Sequence, residues 1–393
     1  VMHSFDSLTS GWLTVRRQLG ISPADRTFSY LPLAHIMERS ALELGSLDGG
    51  CHLYFAESLD SFMEDLQRAH PTLFISVPRL LLKFQQGVLA KMPAPRLDRL
   101  LAIPFLGHFV RRKIQKGLGL DAARLCGCGS APLSEDLLRW YHRLGIRFVE
   151  GYGMTELASA SHMTEVGEDG WGTVGRPGDG VDHRIDPQTG EVQVLSAGAA
   201  LGYYLAPELT AELFTEDGWL RTGDKGEIDA DGRLRLIGRI KDNFKSSKGK
   251  YVAPAPIEHK LIQNPSLDAC LVIGSGLSQP VGIVVLNEAA IARLPAARAA
   301  IEADLARHLQ AINATLDPHE KLDYLVISTK AWTPENGMLT PTLKAKRASI
   351  EKHSRRASRP GATGMRLSSG RNRPGTPAAS MATPGRRSGR AIF

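Results

Sequence analysis

A change of periodicity near residue 190 constrains this chain more than any other feature. Up to about residue 150, short apolar strand-like runs alternate with helical stretches. TLFISVP (72–78) reads as a buried strand, and PRLLLKFQQGVLAKM behind it as a helix entered through Pro78. SEDLLRWYHRLG (134–145) reads as another helix. Ser134 suits its N-cap, two acids sit in its first turn and Gly145 closes it. IRFVEGYGMTE then runs from a short strand into a glycine loop. Such alternation predicts an α/β fold with a mainly parallel sheet.

Beyond 190 the pattern becomes that of strands and hairpins. GEVQVLSAG is a strand, and EIDADGRLRLIG is a hairpin turning at Asp231-Gly232. YVAPAPIEHKLIQN passes through two prolines into a helix. LDACLVIG, PVGIVVLN and DYLVIST are strands, and a helix near 290–316 carries Ile301, Leu305, Leu309 and Ile312 on one stripe. The expected organisation is a large α/β unit over residues 1–238, a small α+β unit over 239–352 and a tail over 353–393. The tail is rich in Arg, Gly, Ser and Pro, a composition that buries no core and predicts disorder.

Charge and cysteine narrow the class further. The formal net charge is +7, but nine arginines and no acid lie in Arg355–Phe393, and without them 39 cations face 41 acids. A nucleic-acid partner is therefore not expected of the body; RNA or acidic-surface binding by the tail is the alternative to simple disorder. Cys51, Cys126, Cys128 and Cys270 form no C-x-x-C pair and read as free thiols of a reducing, cytoplasmic compartment. No apolar run reaches membrane-spanning length. The longest, within LLAIPFLGHFVRRKIQK (100–116), adds Arg111, Arg112, Lys113 and Lys116. Internal packing of this helix is the favoured reading, and a peripheral membrane contact the other. The chain opens on VMHSFDSL with no signal peptide and reads as a fragment.

Two short motifs carry chemistry. In Gly151-Tyr152-Gly153-Met154-Thr155-Glu156 the glycines permit close backbone approach, Tyr152 offers a flat face, Thr155 a hydroxyl and Glu156 a hard oxygen suited to Mg²⁺. Taken alone, those residues read first as a plain strand-to-helix turn. In Asp217-Gly218-Trp219-Leu220-Arg221-Thr222-Gly223-Asp224, a carboxylate after a tight turn accepts ribose hydroxyls or caps the turn.

The order GSAPLS, GYGMTE, GYYLAPELTAELFTEDGWLRTGD, GRIKDNFKSSKGKYVAPAPIE, LTPTLKAKR resembles the adenylate-forming superfamily, and within it the long-chain fatty acid–CoA ligases, over roughly residues 1–352. The resemblance implies a large adenylation domain and a small mobile lid hinged at Lys241. It implies ATP, a fatty acid and CoA as substrates, with Mg²⁺. Gly129, Ser130 and Ala131 would lie along adenine. Gly151, Tyr152 and Gly153 would form the nucleotide wall, with Tyr152 stacked on the base. Thr155 would contact phosphate and, with Glu156, the metal. Asp224 would take the ribose, Arg239 would make a second nucleotide contact, His35 would line the acyl pocket, and Lys344 would be the catalytic lysine. Leu343 stands where many relatives have Gly, as in long-chain branches. Lys245, with Lys248 and Lys250, would face CoA phosphates. The family's phosphate loop would lie before Val1. A non-catalytic nucleotide- or CoA-binding fragment, and an acyl-AMP ligase loading a carrier protein, are the alternatives.

Overall fold

The computed structural model describes residues 1–58, 60–131, 133–165, 170–340, 344–357 and 365–368. The first helix, α1 (Phe5–Leu19), is capped by Ser4, whose hydroxyl accepts the Ser7 N–H, and closes on Gly20 at φ +56°. A parallel pair, β1 (Arg26–Ser29) and β2 (His52–Phe55), brackets a seven-residue π-helix, Glu38–Leu44, and the short α2 (Gly45–Gly49). α3 (Phe62–Ala69) leads to β3 (Leu73–Ser76), then α4 (Pro78–Lys91), α5 (Ala94–Ala102), α6 (Leu106–Gly117), β4 (Leu125–Cys128), α7 (Glu135–Arg143) and β5 (Phe148–Met154). Pro78 stands at the start of α4, where its missing N–H costs no helical bond, and Ser134 accepts the Leu137 N–H at the start of α7.

β3, β4 and β5 are parallel, in register Leu73↔Leu125 and Cys126↔Phe148. The sheet then changes sense. β6 (Ser159–Met163) and β7 (Arg176–Pro177) complete five strands, both antiparallel to their neighbours. The expected parallel sheet is thus confined to its first three strands. Helices α4 and α7 cover it with Leu81, Leu137, Leu138 and Tyr141 around Phe74. A four-stranded antiparallel sheet follows, of β8 (Val181–Ile185), β9 (Glu191–Ser196), β10 (Leu220–Ile228) and β11 (Leu234–Arg239), with α8 (Pro207–Leu213) before β10. The β10–β11 turn has Gly232 at φ +76°, as Asp231-Gly232 predicts.

After a 3₁₀ turn, Ile240–Asp242, comes the hairpin β12 (Phe244–Lys245) and β13 (Tyr251–Val252), then α9 (Pro254–Leu261). The smaller sheet runs β14 (Leu267–Ile273), β15 (Val281–Leu286), β16 (Tyr324–Ser328), β17 (Met365–Ser368). It packs on α10 (Glu288–Ala314), whose Ile301, Leu305, Leu309 and Ile312 are all buried; the helix kinks at Ala297, just past Pro295. α11 (Arg347–Ala357) and β17 extend into the stretch whose composition predicts a tail; the rest of that stretch lies outside the described residues, as does Leu343. The small unit touches the large one where Arg79 of α4 meets Asp268 of β14 at 2.6 Å.

The segment 100–116 packs on the larger core through Leu101, Val110 and Ile114, as the internal-packing reading expects, but only along one face. It forms the end of α5 and all of α6, and Phe105 and Phe109 at and after their junction point outward. No helix among the described residues is long and apolar enough to cross a membrane.

Leu305 is fully buried in the centre of the smaller core. Leu305→Ala is expected to cost about 3 kcal/mol, the transfer of a buried side chain plus the cavity it leaves. The check is the denaturant midpoint for unfolding of that unit.

Candidate active site

The GYGMTE segment is not a loop. β5 continues through Met154, and only then does a 3₁₀ turn, Thr155–Leu157, reverse the chain into β6. Gly153 is required at that reversal, because a Cβ there would run into the Ser159 carbonyl. Tyr152 therefore leaves an extended strand with a fixed direction. Its hydroxyl donates to Asp224 Oδ2 at 2.7 Å.

Asp224 lies on β10 directly opposite Arg239 on β11. Arg239 Nε meets Asp224 Oδ1 at 2.8 Å, and its Nη1 donates to the Thr222 carbonyl at 3.2 Å. Burial pushes the Asp224 carboxyl upward, against the pull of Arg239 and the Tyr152 hydrogen bond. Burial, then the Asp224 charge, holds the Tyr152 phenol well above its ordinary value.

Gly129, Ser130 and Ala131 follow β4. Ser130 adopts φ +72°, and the Gly129 N–H donates to the Ser76 carbonyl at 3.3 Å. His35 sits between β1 and the π-helix with its Nδ1 accepting the Met37 N–H. It lines a cavity of about 80 Å³ whose walls include Val15, Leu19, Ile75 and Met163 and the glycines 129, 151 and 153. His35 is thus a cavity wall rather than a packed core histidine. Burial, then the nearby Lys344 charge, lowers its basicity.

Lys344 approaches from the smaller unit. Its N–H donates to Thr340 Oγ1 at 3.0 Å and its carbonyl accepts the Thr340 N–H at 2.8 Å, so a tight clasp presents the side chain. Desolvation and Arg239 lower the ammonium's pKa, while Asp224 and Glu156 pull it back. Lys344 also lines a larger cleft, about 410 Å³, between α4, α7 and the smaller unit; Ser130 lines both spaces. Glu156 accepts the Tyr203 hydroxyl at 2.7 Å, and the Thr155 carbonyl accepts His3 Nε2 at 2.6 Å. The structure therefore brings Tyr152, Asp224, Arg239, Glu156, His35 and Lys344 into one electrostatic neighbourhood. Lys241, in the 3₁₀ turn, and Lys245, whose Nζ lies 5.6 Å from the Tyr251 ring centroid, stand outside both spaces.

Comparison with known proteins decides the family. Residues 1–204 match the AMP-binding enzyme family, and residues 241–353 the AMP-binding enzyme C-terminal domain. The chain belongs to the AMP-binding enzymes. It is 29% identical over 374 residues to rat (Rattus norvegicus) long-chain-fatty-acid–CoA ligase 5, covering 84% of this chain and 55% of that protein. It is also 29% identical to human (Homo sapiens) long-chain-fatty-acid–CoA ligase 1, over 85% of this chain and 54% of the relative. The chain thus spans about half the length of the curated relatives it matches. Among solved structures, the A-PCP didomain of a carboxylic acid reductase from Segniliparus rugosus, in complex with AMP, superposes with TM-score 0.73 at 26% identity, over 89% of this chain and 50% of that one.

Several residues that hold this candidate site together carry no motif signal. Buried Glu38 accepts the Ser29 hydroxyl at 2.7 Å and the Leu31 N–H at 2.9 Å, anchoring the turn that bears His35. Glu150, next to Gly151, accepts the Leu133 N–H at 2.8 Å and so ties the strip after β4 to β5. His162 lies opposite Tyr152 in register and bonds Ser161 Oγ and His183 Nδ1, each at 2.9 Å. Burial, then His183, lowers its pKa to about 3, so it is neutral at pH 7. Glu150 and His162 lie on strands, and their partners Leu133 and His183 belong to other segments; Glu38 lies in the π-helix and bonds back to β1 and the turn after it.

Burial pushes the Glu150 carboxyl up to about 7, only partly offset by the Leu133 N–H. A carboxyl raised in the folded state binds more protons there than in the unfolded chain, so its contribution falls as pH rises from about 4.5 to 7. Glu150→Gln is expected to gain about 2 kcal/mol relative to the parent on going from pH 5 to pH 8. Urea unfolding of both proteins at the two pH values checks the sign.

Proposed function

We propose that this AMP-binding enzyme couples ATP to a fatty acid, forming acyl-adenylate and pyrophosphate, and then transfers the acyl group to the thiol of CoA with release of AMP. The observation that carries this reading is the approach of Lys344 to the Tyr152–Asp224–Arg239 clasp beside the apolar cavity at His35. Similarity to fatty acid–CoA ligases over most of this chain supports the acyl class.

A carboxylate is a poor acyl donor because its leaving group would be oxide. Attack of a carboxylate oxygen on the α-phosphorus of ATP expels pyrophosphate and leaves AMP as the leaving group for the next step. The obstacle is repulsion between two anions, so the protein's work is positioning and charge compensation. A lysine 4 Å from a phosphate gains about 1 kcal/mol in water and about 4 kcal/mol at an effective dielectric near 20. Lys344 at the mouth of a cleft gains most when substrate displaces water around it.

Each clasp oxygen of Asp224 accepts one protein hydrogen bond and keeps a lone pair for a ribose hydroxyl. The Tyr152 ring, pinned at its hydroxyl, offers its face to the base beside Gly129, Ser130 and Ala131. His35, held neutral, donates a hydrogen bond to the acyl carboxylate without neutralising the attacking oxygen. Among the described residues Glu156 has one oxygen taken by Tyr203 and the other available as a hard ligand, and Thr155 before it in sequence carries a hydroxyl. This set suits Mg²⁺ completed by substrate phosphates and water, and the ion when bound neutralises phosphate charge. Lys241 sits where the two units join, and rotation there would swing Lys344 out and bring Lys245 towards the phosphates of CoA.

Lys344→Ala in the full-length protein is expected to slow ATP–pyrophosphate exchange 10²–10³-fold, the usual effect of losing one charge-stabilising donor. Thioester formation from preformed acyl-adenylate should change less than about threefold. Unimpaired exchange would sink the reading. Supplying free CoA or an acyl-carrier protein as acceptor separates the ligase from carrier loading.

A further inference from the structure

Where α5 meets α6, the residues Ile103-Pro104-Phe105-Leu106 turn apolar side chains into solvent. Phe105 is 92% exposed and Phe109, one turn into α6, is 76% exposed; Ile103 and Leu106 are close to half exposed. The corner is built rather than frayed. Gly107 is buried against the Leu101 carbonyl, where a Cβ would clash, and its N–H donates to the Ile103 carbonyl at 2.8 Å. Arg111 bonds the carbonyls of Arg143 and Leu101. Phe105 itself adopts φ +60°, rare for a bulky residue. The inner face of α6 is already supplied by Val110 and Ile114, packed on the larger core. The outward phenylalanines take no part in the core of the described residues.

Charge defines what covers them. Residues 91–117 hold seven Lys and Arg and a single acid, Asp98. Asp98 is engaged by Arg143 at 2.7 Å. Arg96, Lys113 and Lys116 have no ion pair among the described residues, and Lys113 and Lys116 lie on the exposed side of α6 with Phe109. This excess stands on a body otherwise slightly acidic. Protruding apolar side chains ringed by uncompensated cations complement a surface with an anionic outer layer over an apolar interior.

We propose that the α5–α6 corner docks on an anionic phospholipid bilayer, with Phe105 and Phe109 at the acyl boundary and Lys113 and Lys116 on the headgroups. The inference rests on this surface alone and is independent of the acyl-transfer reading, so binding is measured without ATP or fatty acid. The full-length protein is sedimented with vesicles of phosphatidylcholine alone or with about one-third phosphatidylglycerol, at about 0.1 M and about 0.5 M salt.

Preferential binding to the anionic vesicles, at least about tenfold and weakened by salt, is expected. Phe105→Ser with Phe109→Ser should lower the bound fraction about tenfold at both salt concentrations, and Lys113→Glu with Lys116→Glu should abolish the anionic preference. All four positions are exposed, so unchanged thermal unfolding is the control for folding. Phe105→Trp with Phe109→Trp should retain binding and shift tryptophan emission to the blue on vesicles. Equal binding to neutral vesicles, binding unaffected by the Phe pair, or no binding would overturn the proposal. So would loss, through the same substitutions, of self-association or of a protein complex in place of vesicle binding.

Discussion

The clasp on Asp224 is the interaction on which the rest depends. Its carboxylate joins three strands from two sheets: β10, which bears it, β11 through Arg239 and β5 through the Tyr152 hydroxyl. A buried carboxylate with one partner removed leaves an uncompensated charge, which costs several kcal/mol. The two sheets are thereby held in one relative position, with the Tyr152 ring face fixed between them. Arg239 and Asp224 then set opposing influences on Lys344, repelling and attracting its ammonium from neighbouring positions. An added anion beside Lys344 would act in the same sense as Asp224 and favour its charged form.

Local elements of this fold were largely legible in the sequence, because their causes are local. Ser134 caps α7, Pro78 opens α4, Gly232 turns the β10–β11 hairpin, and the stripe Ile301, Leu305, Leu309, Ile312 is buried as periodicity predicts. The glycines of GYGMTE were read as a loop since glycine is rare within strands; here both lie in β5, and the close approach of β6 requires glycine at Gly153. The sense of β6 and β7 was not legible either, because β6 reads Ser-Ala-Ser-His-Met and β7 is only Arg176-Pro177, neither of them an apolar β-branched run that marks a strand. Pro295 inside α10 bends a helix that the apolar stripe alone would run straight.

The site divides in the same way. Tyr152, Glu156, Asp224, Arg239 and Lys344, singled out from ordered motifs, share one neighbourhood in the structure, whereas Lys241 and Lys245 from the same motifs lie outside it. Glu38, Glu150, Tyr203 and His162 were missed, since each acts through a partner in another element and a lone acid, tyrosine or histidine has no distinguishing pattern. The corner at Phe105 shows the complementary limit. Amphipathic spacing identifies the stripes of α6, but only the packed structure shows that Val110 and Ile114 take the interior and leave Phe109 outside.

Ser130 lies at the boundary between an apolar cavity walled by Val15, Leu19 and Ile75 and the wider cleft that receives Lys344. Under the proposed reaction, that division separates two demands on solvent. The acyl chain needs an environment without water, while the phosphates need cations whose strength grows only as water leaves. A left-handed Ser130 keeps the backbone close to both spaces, and Glu150 fixes the strip through Leu133 from behind. Exclusion of water from the cleft therefore belongs to the approach of the smaller unit rather than to the large sheet. Under that proposed reaction the same sheet would serve either half-reaction, the choice between them made by which face of the smaller unit is presented.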